Sequence, residues 1–351
     1  MKDNKIVFGV AGAGFIGKRH IAMIDADPET LLAAVCDVRT PEACGVTNPV
    51  PFYSSISDML AAHPEIDVVS ICTPNGLHAD MAIEVLMADR SVVIEKPMAT
   101  SVADALRIGQ AENVSRGRVF SVFQNRYTPT SVWLKDVVES GRLGSLRQIV
   151  VNCMWNRDER YYKPGHWHGT MQWDGGTLFS QFSHYMDILL WLVGPIKVVT
   201  AELDDFCHSS MTDFEDTGVV TFRTDNGAIG TFNFTTAVPM QNLESSIILI
   251  GSNGSVKVGG QYMSQVDHCQ ISNYTMPELA PANPPNDYGD YKGSAANHCY
   301  VIRNVAETLL HGAQPTAGYV DGLNVVRAIE EIYRYRTDDF RSKTTLFYKP
   351  C

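Results

Sequence analysis

Ser180, His184 and Asp187 lie within the segment GGTLFSQFSHYMDILLWLVG, which runs from Gly175 to Gly194. Their spacing of four and then three residues puts them on one face of a helix. The segment is otherwise apolar nearly all round, which marks a helix inside the protein. Hiding an ionisable side chain there is costly unless it has a partner or a task. A histidine titrates near neutral pH, so it is suited to accept a proton from a substrate hydroxyl. The bland alternative is a core histidine satisfied by a carboxylate. Gly175 and Gly176 make a flexible entry, Thr177 is the expected cap, and Gly194-Pro195 ends the helix.

Lys96 is the second chemical group. It follows the apolar run SVVI and Glu95, and Pro97 restricts the backbone after it. An ammonium fixed at a strand end can stabilise a developing alkoxide and shift the pKa of a neighbouring base. On the tripeptide alone, a surface lysine in a turn is the better reading.

The elements preceding Lys96 favour the functional reading. IVFGVA, residues 6 to 11, is a short apolar strand that runs straight into GAGFIG, and a helical pattern continues from Phe15 to about Ala26. Strand, glycine turn and helix in that order form a dinucleotide fingerprint. Gly12, Gly14 and Gly17 permit the tight turn, and the helix N-terminus at Phe15 and Ile16 faces the pyrophosphate. The next strand, LLAAVCD, ends in Asp37, placed to accept hydrogen bonds from the adenosine ribose and to favour NAD over NADP. Arg39, two residues on, tempers that preference. Strand and helix patterns then alternate to about residue 124, with continuous apolar strands, which predicts a doubly wound parallel sheet. Its ligand edge carries Thr73-Pro74-Asn75, Glu95-Lys96-Pro97 and Gln124-Asn125-Arg126.

Composition sets the outer bounds. At 351 residues the chain exceeds one ordinary core, and the expected division is 1–124 and 125–351. With 45% hydrophobic and 19% charged residues it reads as a soluble globular protein, and the net charge of −11 disfavours a nucleic-acid surface. No membrane span or signal peptide is evident, so cytoplasm is the expected location. Eight cysteines, among them Cys351, show no metal spacing; they read as structural thiols, and no metal is expected.

Gly12-Ala13-Gly14-Phe15-Ile16-Gly17, Asp37, Glu95-Lys96-Pro97 and the glycine-led helix bearing His184 together resemble the Gfo/Idh/MocA oxidoreductase family. The resemblance covers essentially the whole chain. It implies an α/β protein: an N-terminal Rossmann domain with a doubly wound parallel sheet, then a C-terminal α+β domain with an open, largely antiparallel sheet. The runs LRQIVVNCMWN, IKVVTAELDDF, DTGVVTFRT, AIGTFNFTT, SIILIGS and GSVKVG read as its strands. By the resemblance, Lys96 and His184 flank the oxidised carbinol. Many members carry Asp four residues before the histidine; Ser180 stands there instead, with Asp187 as a further support for the imidazole or as a structural tie to a neighbouring helix. NAD contacts would come from Gly12, Gly14, Phe15, Ile16, Gly17, Asp37, Thr73, Pro74, Asn75, His78, Glu95, Lys96, Asn125 and Trp167.

RDERYYKPGHWHGT followed by WDGGTLFSQFSH is similar to the branch that oxidises nucleotide-linked sugars at C3. That implies a UDP-N-acetylhexosamine or its uronate as substrate, a place in surface-polysaccharide synthesis, and 2-oxoglutarate as a second substrate that recycles NADH. Arg157, Tyr161, Tyr162 and Gln181, with Lys96 and His184, are the expected substrate contacts, the cation serving phosphate and the rings the sugar. An ordinary surface loop is the competing reading of residues 157–168. Residues 261–290 are expected to act as a lid or an oligomer arm. Helical patterns follow at 291–311 and 322–337, with Lys292 and His298 as further candidates for substrate contact. A homodimer or homotetramer is expected. Two rivals stand: a dehydrogenase of free sugars or inositol, and a non-catalytic NAD-binding sensor.

Overall fold

The structure, a computed structural model, describes residues 5–289 and 291–336. Asp290, Thr337 and Cys351, each named above, lie outside the described residues. Two compact units form among the described residues: 5–124 together with 297–326, and those of 125–296 together with 327–336.

The first unit opens with β1 (Ile6–Ala11), α1 (Phe15–Ala26), β2 (Thr30–Cys36), α2 (Pro41–Cys44), β3 (Phe52–Tyr53) and α3 (Ile56–Ala62). It continues with β4 (Val68–Ile71), α4 (His78–Met87), β5 (Ser91–Ile94), α5 (Val102–Val114) and β6 (Val119–Ser121). The six strands form a wholly parallel sheet in the order β3-β2-β1-β4-β5-β6, as the continuous apolar strands predict. Every residue of β1, β4 and β5 is buried, because helices cover both faces of such a sheet. α3 and α5 begin alike: Ser55 and Ser101 accept the N–H of Asp58 and Asp104, each capping its helix.

The second unit contains α6 (Pro129–Glu139), β7 (Leu146–Met154), α7 (Ser183–Val193), β8 (Ile196–Asp204), β9 (Thr217–Thr224), β10 (Ile229–Thr235), β11 (Glu244–Gly251), β12 (Gly254–Gly259) and β13 (Gln265–Ile271). Seven strands pair in the order β13-β12-β11-β7-β10-β9-β8. Only the β7–β10 pair is parallel; the other five are antiparallel. Alternation explains the core here: Val220 and Phe222 of β9 and Phe232 and Phe234 of β10 point inward, while Val219, Thr221, Thr231 and Asn233 point away.

β14 (Pro285–Asp287) and β15 (Lys292–Ala295) form a separate hairpin. Residues 261–289 are therefore not one loop: β13 extends the main sheet and β14 pairs with β15. Lys292 lies in that hairpin rather than in a helix.

α8 (His298–His311) and α9 (Tyr319–Tyr333) close the described chain. α8 packs on α1 and buries Val301, Ile302 and Val305, and Arg303 reaches Asp27 at 2.8 Å and Glu29 at 3.1 Å. This packing returns residues 297–326 to the first unit, whereas the sequence alone assigns them to the second domain.

Candidate active site

In the first unit, β1 ends one residue before a turn that only glycine can make. Gly12 has φ +91°, and a Cβ there would come within 2.7 Å of the Cys72 carbonyl carbon and oxygen. α1 then starts at Phe15 with no side-chain cap and no acidic residue in its first turn. The positive end of its dipole lies at Gly14, where a side chain would meet nothing within 4 Å. That is the arrangement a pyrophosphate requires. Phe15 is 69% exposed beside it, and Lys18 lies 5.6 Å over its ring.

Asp37 closes the other side of this turn. Its Oδ2 accepts the Ala13 N–H at 2.8 Å and Arg39 Nη2 at 2.9 Å, and its Oδ1 accepts Arg39 Nε at 3.0 Å. Burial alone would raise the carboxyl, but these hydrogen bonds outweigh it and bring the pKa to about 2. The acid is thus ionised across the physiological range, and Arg39 is committed to it while remaining half exposed.

The strand ends after β4 and β5 carry Thr73, Pro74, Asn75, Glu95 and Lys96. Asn75 and Glu95 are buried and Lys96 is half-buried. His78, at the start of α4, ties the two ends together, with Nδ1 2.7 Å from the Pro97 carbonyl and Nε2 2.9 Å from that of Thr73. Burial pushes this imidazole below its usual pKa, against the pull of both carbonyls. His78 therefore acts on the cofactor edge as a brace of two strand ends.

In the second unit, the helix bearing His184 does not start as the apolar pattern predicts. Leu178–Phe182 forms one π-helical turn, and regular α-helix begins only at Ser183. Thr177 is not a cap: its hydroxyl donates to the Glu215 carbonyl. Ser180, inside this turn, and His184, just beyond it, are both buried. Ser180 Oγ donates to the Gly176 carbonyl at 3.2 Å and accepts Gln181 Nε2 at 3.3 Å.

Gly176, at φ +120°, lies so close to Tyr333 that a Cβ would come 2.3 Å from its hydroxyl. Tyr333 accepts the Leu178 N–H at 3.0 Å and donates to Glu215 Oε1 at 2.7 Å. Neither partner is legible from local spacing, because each is more than a hundred residues from Tyr333.

His184 is 3% exposed on α7. One turn on, Asp187 receives a bidentate grip from Arg126: Nε to Oδ2 at 2.9 Å and Nη2 to Oδ1 at 2.5 Å. Arg126 also stacks on Trp191 at 5.3 Å. The structural tie, one of the two roles open to Asp187 from sequence, is thus present.

Arg157, 2% exposed, sits over Trp155, Tyr161 and Tyr291 at 4.6, 5.3 and 5.1 Å. It donates to Gln181 Oε1 at 2.7 Å, the Asn156 carbonyl at 2.6 Å, Asn242 Oδ1 at 3.3 Å and the Lys292 carbonyl at 3.2 Å. Gln181 Nε2 in turn donates to the Tyr161 hydroxyl at 2.7 Å. Arg157, Tyr161, Gln181 and Ser180 therefore form one hydrogen-bonded chain that enters the turn before His184. Tyr162 is turned into a small core with Phe214. In the same loop the Trp167 ring lies 3.8 Å from that of His168, which is in turn 4.6 Å from His166.

Comparison with known proteins decides the family. Residues 6–123 match the oxidoreductase family NAD-binding Rossmann fold of Gfo/Idh/MocA, and residues 132–257 match the Gfo/Idh/MocA C-terminal domain. The chain belongs to the Gfo/Idh/MocA oxidoreductase family. Its Rossmann domain binds NAD.

Among solved structures of this family, the chain is similar to the WlbA dehydrogenase from Bordetella pertussis in complex with NADH and UDP-GlcNAcA. That match is 35% identical, covers 94% of this chain and 96% of that one, and has a TM-score of 0.83. The WlbA dehydrogenase from Chromobacterium violaceum, in complex with the same two molecules, is 31% identical over 95% and 94% of the chains with a TM-score of 0.82. An inositol 2-dehydrogenase from Rhizobium meliloti is 23% identical over 78% of this chain and 81% of its own length. No helix among the described residues is long and apolar enough to cross a membrane.

Proposed function

We propose that this family member oxidises a secondary hydroxyl of a nucleotide-linked sugar with NAD, at C3 of a UDP-N-acetylhexosamine or its uronate. The observation that carries the reading is the likeness to two dehydrogenases in complex with NADH and UDP-GlcNAcA, at 35% and 31% identity over nearly the whole chain. Inositol 2-dehydrogenases match at 23–30% identity over a smaller share, 62–78%, of this chain.

The backbone at Gly12, Gly14, Phe15, Ile16 and Gly17 would hold the pyrophosphate, Asp37 the adenosine ribose, and Thr73, Pro74, Asn75 and Asn125 the nicotinamide ribose. Bound NAD supplies the hydride acceptor. With NAD held there as the hydride acceptor, His184 would take the proton of the C3 hydroxyl. Lys96 holds the hydroxyl oxygen and eases the negative charge that develops on it. Arg157 supports an anionic substrate: among the described residues its buried charge meets only neutral hydrogen-bond acceptors, so negative charge near Tyr161 and Gln181 is favoured.

A panel of UDP-sugars, inositol and hexoses tested for NADH formation, with and without 2-oxoglutarate, checks this reading. UDP-N-acetylglucosaminuronate or its hexosamine should be oxidised far faster than any free polyol. His184→Ala and Lys96→Met should each lower kcat by about 10²–10⁴-fold with NAD binding retained. Turnover of inositol alone would replace the reading with the polyol one, and NAD binding without any turnover would favour a sensor.

A further inference from the structure

One side chain from α9 and another from the loop before β9 meet on the residues that open the π-helical turn. The Tyr333 hydroxyl accepts the Leu178 N–H at 3.0 Å, and its ring lies 5.8 Å from that of Phe179. Gly176 is so close that a Cβ there would stand 2.3 Å from the same hydroxyl. Glu215 takes part twice: its Oε1 accepts the Tyr333 hydroxyl at 2.7 Å, and its carbonyl accepts the Thr177 hydroxyl at 2.5 Å. Residues 176 to 179 are thus held one after another by two groups remote in sequence.

The turn they hold delivers Gln181, and both ends of that amide are committed. Its Nε2 donates to the Tyr161 hydroxyl at 2.7 Å and to Ser180 Oγ at 3.3 Å, and its Oε1 accepts Arg157 Nε at 2.7 Å. Ser180 Oγ is tied back to the Gly176 carbonyl at 3.2 Å. π-Helical turns are rare and occur mostly at functional sites. Packing alone does not account for the acid beneath this one. Glu215 is fully buried, and its Oε2 has no hydrogen-bond partner among the described residues. Burying such an oxygen is costly, and an apolar side chain would fill the space at less cost. What the acid adds is an acceptor for the Tyr333 hydroxyl, which leaves the tyrosine oxygen facing the Leu178 N–H.

We propose that Glu215 and Tyr333 are positioning residues for substrate recognition, fixing the opening of the turn so that Gln181 meets Arg157 and Tyr161. Neither residue need touch NAD or sugar. The proposal rests on the part given above to Arg157 in binding an anionic substrate, and its test separates the two.

Hydrogen–deuterium exchange of the whole protein at about pH 6, without NAD or sugar, reads the turn directly; at that pH Glu215 keeps its proton, and Gln imitates it. In Tyr333→Phe and Glu215→Leu, peptides covering residues 177–182 should exchange about 5- to 10-fold faster than in wild type, while those of α5 keep their rate. Glu215→Gln, which still accepts the Tyr333 hydroxyl, should exchange like wild type. In turnover of UDP-N-acetylglucosaminuronate, Tyr333→Phe and Glu215→Leu should raise KM for the sugar about 5- to 10-fold with kcat within about twofold, and Glu215→Gln should keep the wild-type KM. Gln181→Leu should raise KM as well, and adding Tyr333→Phe to it should raise it no further. Where either Tyr333→Phe or Glu215→Leu fails to fold, the other decides. Wild-type exchange over 177–182, exchange quickened equally in α5, kcat lowered at unchanged KM, or Glu215→Gln behaving like Glu215→Leu would each overturn the proposal. Faster exchange confined to the turn, in a protein that oxidises no UDP-sugar, would support the positioning and sink the proposed function alone.

Discussion

Replacing Glu215 with Gln should change how the stability of this protein depends on pH. Burial pushes the Glu215 carboxyl from 4.5 up to about 7, and the Tyr333 hydroxyl and nearby backbone offset only part of the rise. Because the folded pKa lies above the unfolded one, the native state keeps a proton that the unfolded chain gives up. Stability is therefore fully present below the unfolded pKa and is lost as pH rises through the folded value. The shift, multiplied by 1.36 kcal/mol per unit, corresponds to a loss of about 3 kcal/mol once both states are ionised. Most of it, about 2 to 3 kcal/mol, falls between about pH 5 and pH 8.

Gln has the shape of the protonated acid and still accepts the Tyr333 hydroxyl, so Glu215→Gln should remove this component and leave the rest. Urea unfolding at the two pH values, wild type against variant, isolates it as a difference of differences. The variant should be markedly more stable than wild type at the higher pH and close to it at the lower. An equal effect at both would refute the reasoning, because the buried acid would then not titrate between them. Function should follow stability, since Tyr333 links Glu215 to the first N–H of the turn that leads to His184.

Three further outcomes are expected. Asp187→Asn leaves the Arg126 charge buried without its carboxylate and should cost about 3–5 kcal/mol in urea unfolding, most of it recovered in Arg126→Met/Asp187→Leu; a single variant as stable as wild type contradicts the pair's role. Gly12→Ala forces a Cβ into the Cys72 backbone and should weaken NADH binding, followed by fluorescence titration, by about 10-fold or more. Asp37→Ser removes a charged hydrogen-bond acceptor, which should cost NAD affinity about 1.5–3 kcal/mol while freeing Arg39 for a 2′-phosphate. Calorimetric titration with NAD and NADP reads both changes, and an unaltered ratio of the two affinities counts against the assignment.

What the sequence makes legible depends on whether the cause is local. β1, Gly12 and α1 are dictated within a dozen residues, so the nucleotide-binding half reads clearly from order and spacing. The alternating strands β9 and β10 announce one buried face each, and they are equally clear. β13 escapes because QVDHCQI lies at the sheet edge with most of its side chains in water, leaving no apolar alternation to detect. The return of α8 to the first unit escapes because an apolar stripe says that a helix packs, not on what.

The candidate site divides in the same way. His184, Lys96 and Asp37 stand out by residue type and context. The Arg126 grip on Asp187 and the Tyr333–Glu215 brace join residues 61 and 118 positions apart, and nothing in their local sequence pairs them. The π-helical turn is hidden for another reason: an apolar segment carries the same composition in either winding, and Tyr333, which lies against Gly176 and accepts the Leu178 N–H, comes from far along the chain.

The central claim is that hydride leaves C3 of a UDP-linked sugar for NAD. The most direct measurement offers the protein NAD and UDP-N-acetylglucosaminuronate carrying deuterium at C3, then weighs the NADH formed. The account predicts NADH heavier by one deuterium, formed in wild type and nearly absent in His184→Ala. NADH of ordinary mass from the C3-labelled sugar would contradict it.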